Sequence, residues 1–113
     1  PNANRAEAIG LIRVVPDLDA AVAVVRDAHG ADPLLVATAA RPAADTMDAA
    51  RFVSERIADP GPTLLMFGTG WGLADPALDR AGIRLNPIWG PTDYNHLSVR
   101  SAVAIYLDRI FGL

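Results

Sequence analysis

Short apolar runs alternate along the chain with segments in which apolar residues recur at helical spacing. The apolar runs predict four strands, at residues 11–15, 34–38, 63–67 and 83–86. Continuous apolar strands that alternate with helices are typical of a parallel sheet. We therefore expect an α/β domain in which helices cover both faces of a parallel sheet.

Capping residues, glycines and prolines mark the ends of three helices between these strands. The predicted N-termini are Asp17, either Asp45 or Thr46, and Asp75. The predicted C-terminal boundaries are Gly30, the proline and glycine cluster at 59–62, and Gly82. The first two helices are expected to bury the stripes Leu18, Ala21, Val22, Val25 and Met47, Ala50, Val53, Ile57.

A final helix is predicted from Asn95 or His96 nearly to the C-terminus, and it is apolar on two sides. The two stripes are Val99, Val103, Tyr106, Ile110 and Leu97, Ala104, Leu107, Phe111. A helix that only covers a sheet needs a single stripe. The second stripe therefore packs against something else, which is either a second copy of the chain or another part of the same polypeptide.

Composition narrows the possible functions. The 113 residues suffice for one domain, and the absence of cysteine excludes disulfide scaffolds, thiolate metal sites and thiol catalysis. With two histidines, a histidine-rich metal site is not expected. All ten basic residues are arginine against 13 acidic residues, and a net charge of −3 argues against broad binding to duplex nucleic acid. No membrane span or secretion signal is recognisable, so we expect a soluble, cytoplasmic protein without membrane partners.

Three loops follow strands at the edge of the sheet where ligands bind in such folds: 38–41, 68–72 and 87–96. Glycines at 68, 70 and 72 allow close backbone approach to a ligand, but G-x-G-x-G matches neither the dinucleotide fingerprint nor the P-loop, and a plain tight turn is the alternative. Asp93 and His96 fit either an acid–base pair or a helix cap. Trp71 and Trp89 fit either stacking on a base or anchoring of their loops.

Residues 67–73 (FGTGWGL), 86–90 (NPIWG) and 93–109 (DYNHLSVRSAVAIYLDR) resemble the SPOUT class of RNA methyltransferases. The sequence is most similar to a predicted S-adenosylmethionine-dependent RNA methyltransferase family that is sometimes fused to bacterial tRNA guanine-N1 methyltransferase. Residues 11–15 and 36–41 match the same family, so the resemblance extends over essentially the whole chain.

The resemblance implies a trefoil-knotted α/β domain whose C-terminal helix is threaded through a loop and forms a homodimer. It implies S-adenosylmethionine as cofactor, bound in the knot loops largely by backbone groups, with no metal. The matching cofactor positions are Thr38, Gly68, Gly70, Gly72, Leu73, Ile88, Gly90, Leu97 and Ser98.

The function that this resemblance implies is methyl transfer to tRNA or rRNA. Asp93, His96 and Arg100 are the catalytic candidates, and Arg41 and Arg100 are the candidates for RNA contact. Members of the family begin with a further strand–helix–strand portion ahead of the match to Pro1, so we expect residues 1–113 to form the C-terminal portion of one such domain. The alternative is a non-catalytic dimerisation or RNA-binding module derived from such an enzyme.

Overall fold

A computed structural model describes residues 2–39, 44–92 and 96–112 of the chain, and a parallel sheet lies at its centre. Its three strands are β1 (Leu34–Ala37), β2 (Thr63–Met66) and β3 (Ile83–Arg84), in the order β2-β1-β3. Both neighbours run parallel to β1. The carboxyl ends of the three strands therefore meet at one edge of the sheet, and the predicted parallel sheet is confirmed.

The described residues form five helices, most of which are capped at the N-terminus by the side chain that precedes them. The helices are α1 (Ala3–Gly10), α2 (Leu18–His29), α3 (Ala49–Ala58), α4 (Asp75–Arg80) and α5 (Val99–Phe111). The side chains of Asn2, Asp17, Asp48 and Ser98 accept hydrogen bonds from backbone N–H groups of the first turns of α1, α2, α3 and α5. Gly30 ends α2 in the left-handed conformation, with φ of 75°.

Both faces of the sheet are covered. On one face Val36 and Leu85 form a buried core with Phe52 of α3 and Tyr106 of α5. Ala37 and Met66 alternate with these positions, so their side chains belong to the opposite face, and both are buried.

Helix α4 lies on the second face and is joined to α2. Arg84, whose register partner is Ala37, donates a hydrogen bond of 3.2 Å from its guanidinium to the carbonyl oxygen of Leu78 in α4. An ion pair of 2.8 Å between Arg80 and Asp19 joins α4 to α2. The sheet is thus enclosed by α3 and α5 on one side and by α4, tied to α2, on the other.

The predicted strand at 11–15 is wrong. These residues link α1 to α2 without pairing with any described strand, and Leu11 and Val14 are 82% and 96% exposed. Apolar composition favours a strand only where another strand's backbone is available to complete the hydrogen bonds. Helix α1 was not predicted, although Asn2 and a run rich in alanine supply a cap and strong helix formers.

Several predicted helix boundaries shift because a different residue provides the cap. Helix α3 begins after Asp48 rather than at Asp45 or Thr46. Met47, predicted inside that helix, instead forms a parallel bridge with Leu85 on the side of β3 that faces away from β1.

The apolar stripe predicted for α3 is also partly wrong. Val53 packs against the core as predicted, but the buried side chain of α3 is Phe52, which is not in the predicted stripe, and Ile57 is 76% exposed. The remaining two predicted starts move as well: Ala74 is the N-cap residue of α4, with Asp75 following it, and α5 begins after Ser98 rather than at Asn95 or His96.

The two apolar stripes predicted for α5 have different environments, except that Val99 of the first stripe is 41% exposed. Tyr106 is buried, and Ala102 and Ile110 pack against the core. Leu97, Leu107 and Phe111, which belong to the second stripe, stay exposed. The threading of α5 through a knot stays a prediction, since residues 40–43 and 93–95 lie outside the described part of the chain.

Candidate ligand-binding cleft

A cleft of about 110 Å³ lies at the carboxyl edge of the sheet. Its walls come from the ends of β1 and β2, from Ile88 in the loop after β3, and from α5 with the residues just before it. This is the edge at which open α/β sheets bind ligands. The three loops singled out in the sequence therefore meet in one place.

The glycine loop after β2 is a tight turn in which two of the three glycines are required by geometry. The Gly72 N–H donates to the carbonyl oxygen of Thr69 at 2.9 Å, and the φ of Gly72 is 85°. A Cβ atom on Gly68 would lie 2.1 Å from the carbonyl carbon of Gly72. Gly70 is different, because a Cβ there would meet no heavy atom within 4 Å and its φ is not in the left-handed region.

Thr38 fastens the end of β1 to the end of β2. Its backbone N–H and its hydroxyl both donate to the carbonyl oxygen of Met66, at 3.1 and 2.8 Å. The side chain is buried at the base of the cleft. The hydroxyl proton is used in this contact, so Thr38 offers the cleft an acceptor rather than a donor.

Tyr106 of α5 joins the second and third loops. Its hydroxyl donates to the carbonyl oxygen of Asn86 at 2.7 Å, and its ring meets that of Phe67 edge-on with centroids 5.9 Å apart. Burial raises the pKa of the Tyr106 hydroxyl, which favours the protonated form that donates this hydrogen bond.

The described lining of the cleft contains no carboxylate, arginine or lysine, and His96 and Tyr106 are its titratable side chains. Among the described residues, no group of three histidine, cysteine or acidic side chains is arranged to hold a metal ion. Such a lining can hold a ligand through backbone groups and apolar contacts.

The structure brings together six of the nine predicted cofactor residues: Thr38, Gly68, Gly70, Gly72, Ile88 and Leu97 all line the cleft. Leu73, Gly90 and Ser98 are not among the lining residues, and the side chain of Ser98 instead caps α5. The role of all nine residues in binding a cofactor stays a prediction.

The catalytic and RNA-contact candidates are placed less completely. His96 lines the cleft, whereas Arg100 is exposed in the first turn of α5 and does not. Asp93 and Arg41 lie outside the described residues.

Sequence reasoning missed six lining residues: Ala39, Phe67, Thr69, Val99, Ala102 and Tyr106. Ala39, Phe67 and Thr69 are next to predicted positions in the chain. The other three recur at helical spacing, so the periodicity of α5 would have indicated that the side facing the glycine loop belongs to the cleft.

Two larger cavities lie elsewhere. One of about 570 Å³ is mainly apolar and is bounded by α3, the start of β2 and the end of α5, away from the loops after the strands. One of about 380 Å³ lies between the start of α3 and the loop after β3, beside Trp89 and Arg109. The smaller cleft is the candidate ligand site, because it lies at the carboxyl ends of the strands, where such folds bind ligands.

Comparison with known proteins identifies a matching family model and several similar sequences. A family model described as SAM-dependent RNA methyltransferase matches residues 1–112. Two relatives named tRNA (guanine-N(1)-)-methyltransferase, from Oleidesulfovibrio alaskensis and Nitratidesulfovibrio vulgaris, are 40% and 41% identical to the chain over 113 residues. An uncharacterized protein from Aquifex aeolicus is 38% identical over 111 residues.

The shared region is a part of each relative. It covers 98% of this chain but 25% of the two tRNA methyltransferases and 54% of the Aquifex protein. A solved structure of a probable methylase family protein from Haemophilus influenzae Rd KW20 has the same fold, with a TM-score of 0.73 and 23% identity over 96% of this chain and 45% of that one. No helix among the described residues is long and apolar enough to cross a membrane.

Proposed function

This chain belongs to the SAM-dependent RNA methyltransferase family, and we propose that it transfers a methyl group from S-adenosylmethionine to RNA, with the cofactor bound in the cleft described above. One observation carries the proposal. The three loops that the family resemblance assigns to the cofactor converge on a single cleft at the carboxyl edge of the sheet.

Gly70 supplies the test of whether the cleft fits such a ligand. It lines the cleft, and a Cβ atom built on it would project into open space rather than against protein. The loop therefore does not need a glycine here for its own conformation. A glycine at this position would instead allow a bound molecule to approach the backbone closely.

A described lining without carboxylate, arginine or lysine suits a cofactor whose reacting group is a cation. When bound, S-adenosylmethionine supplies an electrophilic methyl group on a positively charged sulfur. Ile88, Leu97 and Val99 offer apolar contacts to a flat base, and backbone groups of the glycine loop offer hydrogen bonds. A described lining without arginine or lysine places no repelling charge beside a sulfonium ion.

Positioning is the main contribution that we propose for the protein, because aligning an acceptor with the methyl group removes much of the entropic barrier. His96 lines the cleft and is proposed to accept a proton from the RNA, with Asp93 as the second candidate. Arg100 is proposed to contact RNA together with Arg41, since it is exposed on the turn of α5 next to Val99.

The substrate is proposed to be tRNA or rRNA in the cytoplasm. The relatives named as tRNA methyltransferases are about four times as long as the shared region. Their names describe those whole proteins, so guanine N1 is not carried over to this chain.

The exposed second stripe of α5 supports a homodimer, in which Leu107 and Phe111 are covered by a second copy. A non-catalytic dimerisation or RNA-binding module is the alternative function.

Calorimetric titration with S-adenosylmethionine, followed by transfer of labelled methyl groups to bulk tRNA and rRNA, tests the proposal. We expect saturable binding and RNA-bound label. Absence of binding at millimolar cofactor would contradict the proposal and favour the non-catalytic module.

A further inference from the structure

Trp71 is almost completely exposed beside the cleft. Its side chain is 99% exposed, whereas Trp89 is 59% exposed. The residues on either side, Gly70 and Gly72, line the cleft, whereas Trp71 is not among the lining residues, so the turn that borders the cleft carries an exposed indole. Because this indole is exposed to water, its apolar surface contributes little to the stability of the fold.

The turn that carries Trp71 is fixed by its own hydrogen bonds. The Trp71 N–H donates to the hydroxyl of Thr69 at 3.2 Å, and the Gly72 N–H donates to the Thr69 carbonyl oxygen at 2.9 Å. The close packing of Gly68 on Gly72 leaves little room for the turn to change shape. The backbone beneath the indole is therefore ordered before any ligand arrives, which reduces the entropic cost of binding.

The surroundings of the indole suit one flat group better than a protein surface. Gly70 and Gly72 have no side chains to cover the ring, and exposed Thr69 is polar. A protein interface is normally built on a contiguous apolar patch, whereas stacking of a nucleobase needs a single accessible aromatic face.

Charge points in the same direction. With 10 basic and 13 acidic residues, the chain gains little from general attraction to the phosphate backbone. Stacking on an aromatic side chain is independent of net charge and tolerates any base. Since the family acts on RNA, we infer that Trp71 stacks on an unpaired nucleobase of the RNA substrate at the mouth of the cleft, a role that rests on the proposed function.

Trp89 provides a matched control. It is partly exposed on the loop after β3, but it lines the separate cavity beside Asp48 and Arg109 rather than the cleft. The chain has two tryptophans, so Trp89→Phe leaves Trp71 as its single indole fluorophore and Trp71→Phe leaves Trp89.

The test is a fluorescence titration of both single-tryptophan variants with an unstructured single-stranded RNA and with the same sequence as a duplex. We expect the single strand to quench Trp71 and to leave Trp89 nearly unchanged, and the duplex to quench Trp71 less. Trp71→Ala should weaken single-strand binding about tenfold, as loss of one stacked base would. Trp71→Phe should restore part of that loss, and Trp89→Ala should have no effect.

Three results would overturn the inference: single-stranded RNA that does not bind the wild-type protein, RNA affinity that is unchanged in Trp71→Ala, or Trp71 emission that responds to protein concentration and not to RNA. The last result would show that a second copy covers the indole. Titration of the same variants with S-adenosylmethionine separates the two proposals. Failure of the wild type to bind the cofactor overturns the proposed function, whereas normal cofactor binding with RNA affinity insensitive to Trp71 overturns only the stacking role.

Discussion

Gly70→Val should abolish cofactor binding while leaving the protein folded. A Cβ atom at this position meets no heavy atom within 4 Å, so the first atom of the new side chain has no clash to relieve. Because Gly70 lines the cleft of about 110 Å³, we expect the branched side chain to take up space that the ligand has to enter. We expect affinity for S-adenosylmethionine to fall at least about 100-fold, which corresponds to ~2.8 kcal/mol.

The stability of this variant should change little. Replacing a glycine outside the left-handed region restricts the unfolded chain and offsets small losses in the folded state, so the change in unfolding free energy should stay within about 1 kcal/mol. For a domain of this size that is a shift in melting temperature of less than about 8 °C.

Gly68→Ala is the contrasting variant. A Cβ 2.1 Å from the carbonyl carbon of Gly72 forces the backbone of the turn to move, which should cost about 1–3 kcal/mol. Calorimetric titration and thermal unfolding of both variants and the wild type measure the two effects separately. If folded Gly70→Val binds S-adenosylmethionine as tightly as the wild type, the cleft is not the cofactor site.

Three further predictions follow from α5 and its contacts. Tyr106→Phe removes the hydrogen bond to the Asn86 carbonyl and should lower the free energy of unfolding by about 1 kcal/mol at neutral pH. Because burial raises the pKa of this hydroxyl, the wild type should lose stability as the pH rises above the ordinary tyrosine pKa of about 10. Tyr106→Phe should lose less stability over the same range, as measured by denaturant unfolding across pH. Equal losses would contradict the role given to the buried hydroxyl. Phe111, which is 77% exposed, is proposed to lie in the homodimer interface, so Phe111→Asp should give folded monomers in sedimentation velocity. Ile9→Asp on α1 is the control and should stay dimeric. A wild type that is monomeric at high concentration would refute the homodimer. Arg100→Ala should weaken RNA binding and reduce its salt dependence without changing cofactor affinity, and unchanged RNA binding would remove Arg100 from the proposed interface.

Local signals predicted most of the sheet, because β1 and β2 are short apolar runs that follow Pro33 and Pro62, and β3 begins after Gly82. Capping also predicted Asp17 and Gly30 to within one residue of the ends of α2. The apolar run at 11–15 misled the prediction, since its composition is that of a strand but no described strand lies beside it.

The candidate site was predictable where it depends on backbone chemistry. Gly68 and Gly72 were recognisable as glycines of a functional loop. The structure shows that both serve the shape of the turn, Gly68 through close packing and Gly72 through its positive φ, whereas Gly70 has neither constraint. Tyr106 was not predictable as a link between loops. Its place in an apolar stripe does not reveal that its hydroxyl reaches a carbonyl 20 positions earlier in the chain.

A crystal structure of the protein with S-adenosylhomocysteine, the demethylated product, tests the central claim most directly. The account predicts that the adenosine lies against the backbone at Gly70, between the glycine loop and the side chains of Ile88 and Leu97. Density for the ligand in the apolar cavity between α3 and α5, or a cleft that stays empty at saturating ligand, would contradict it.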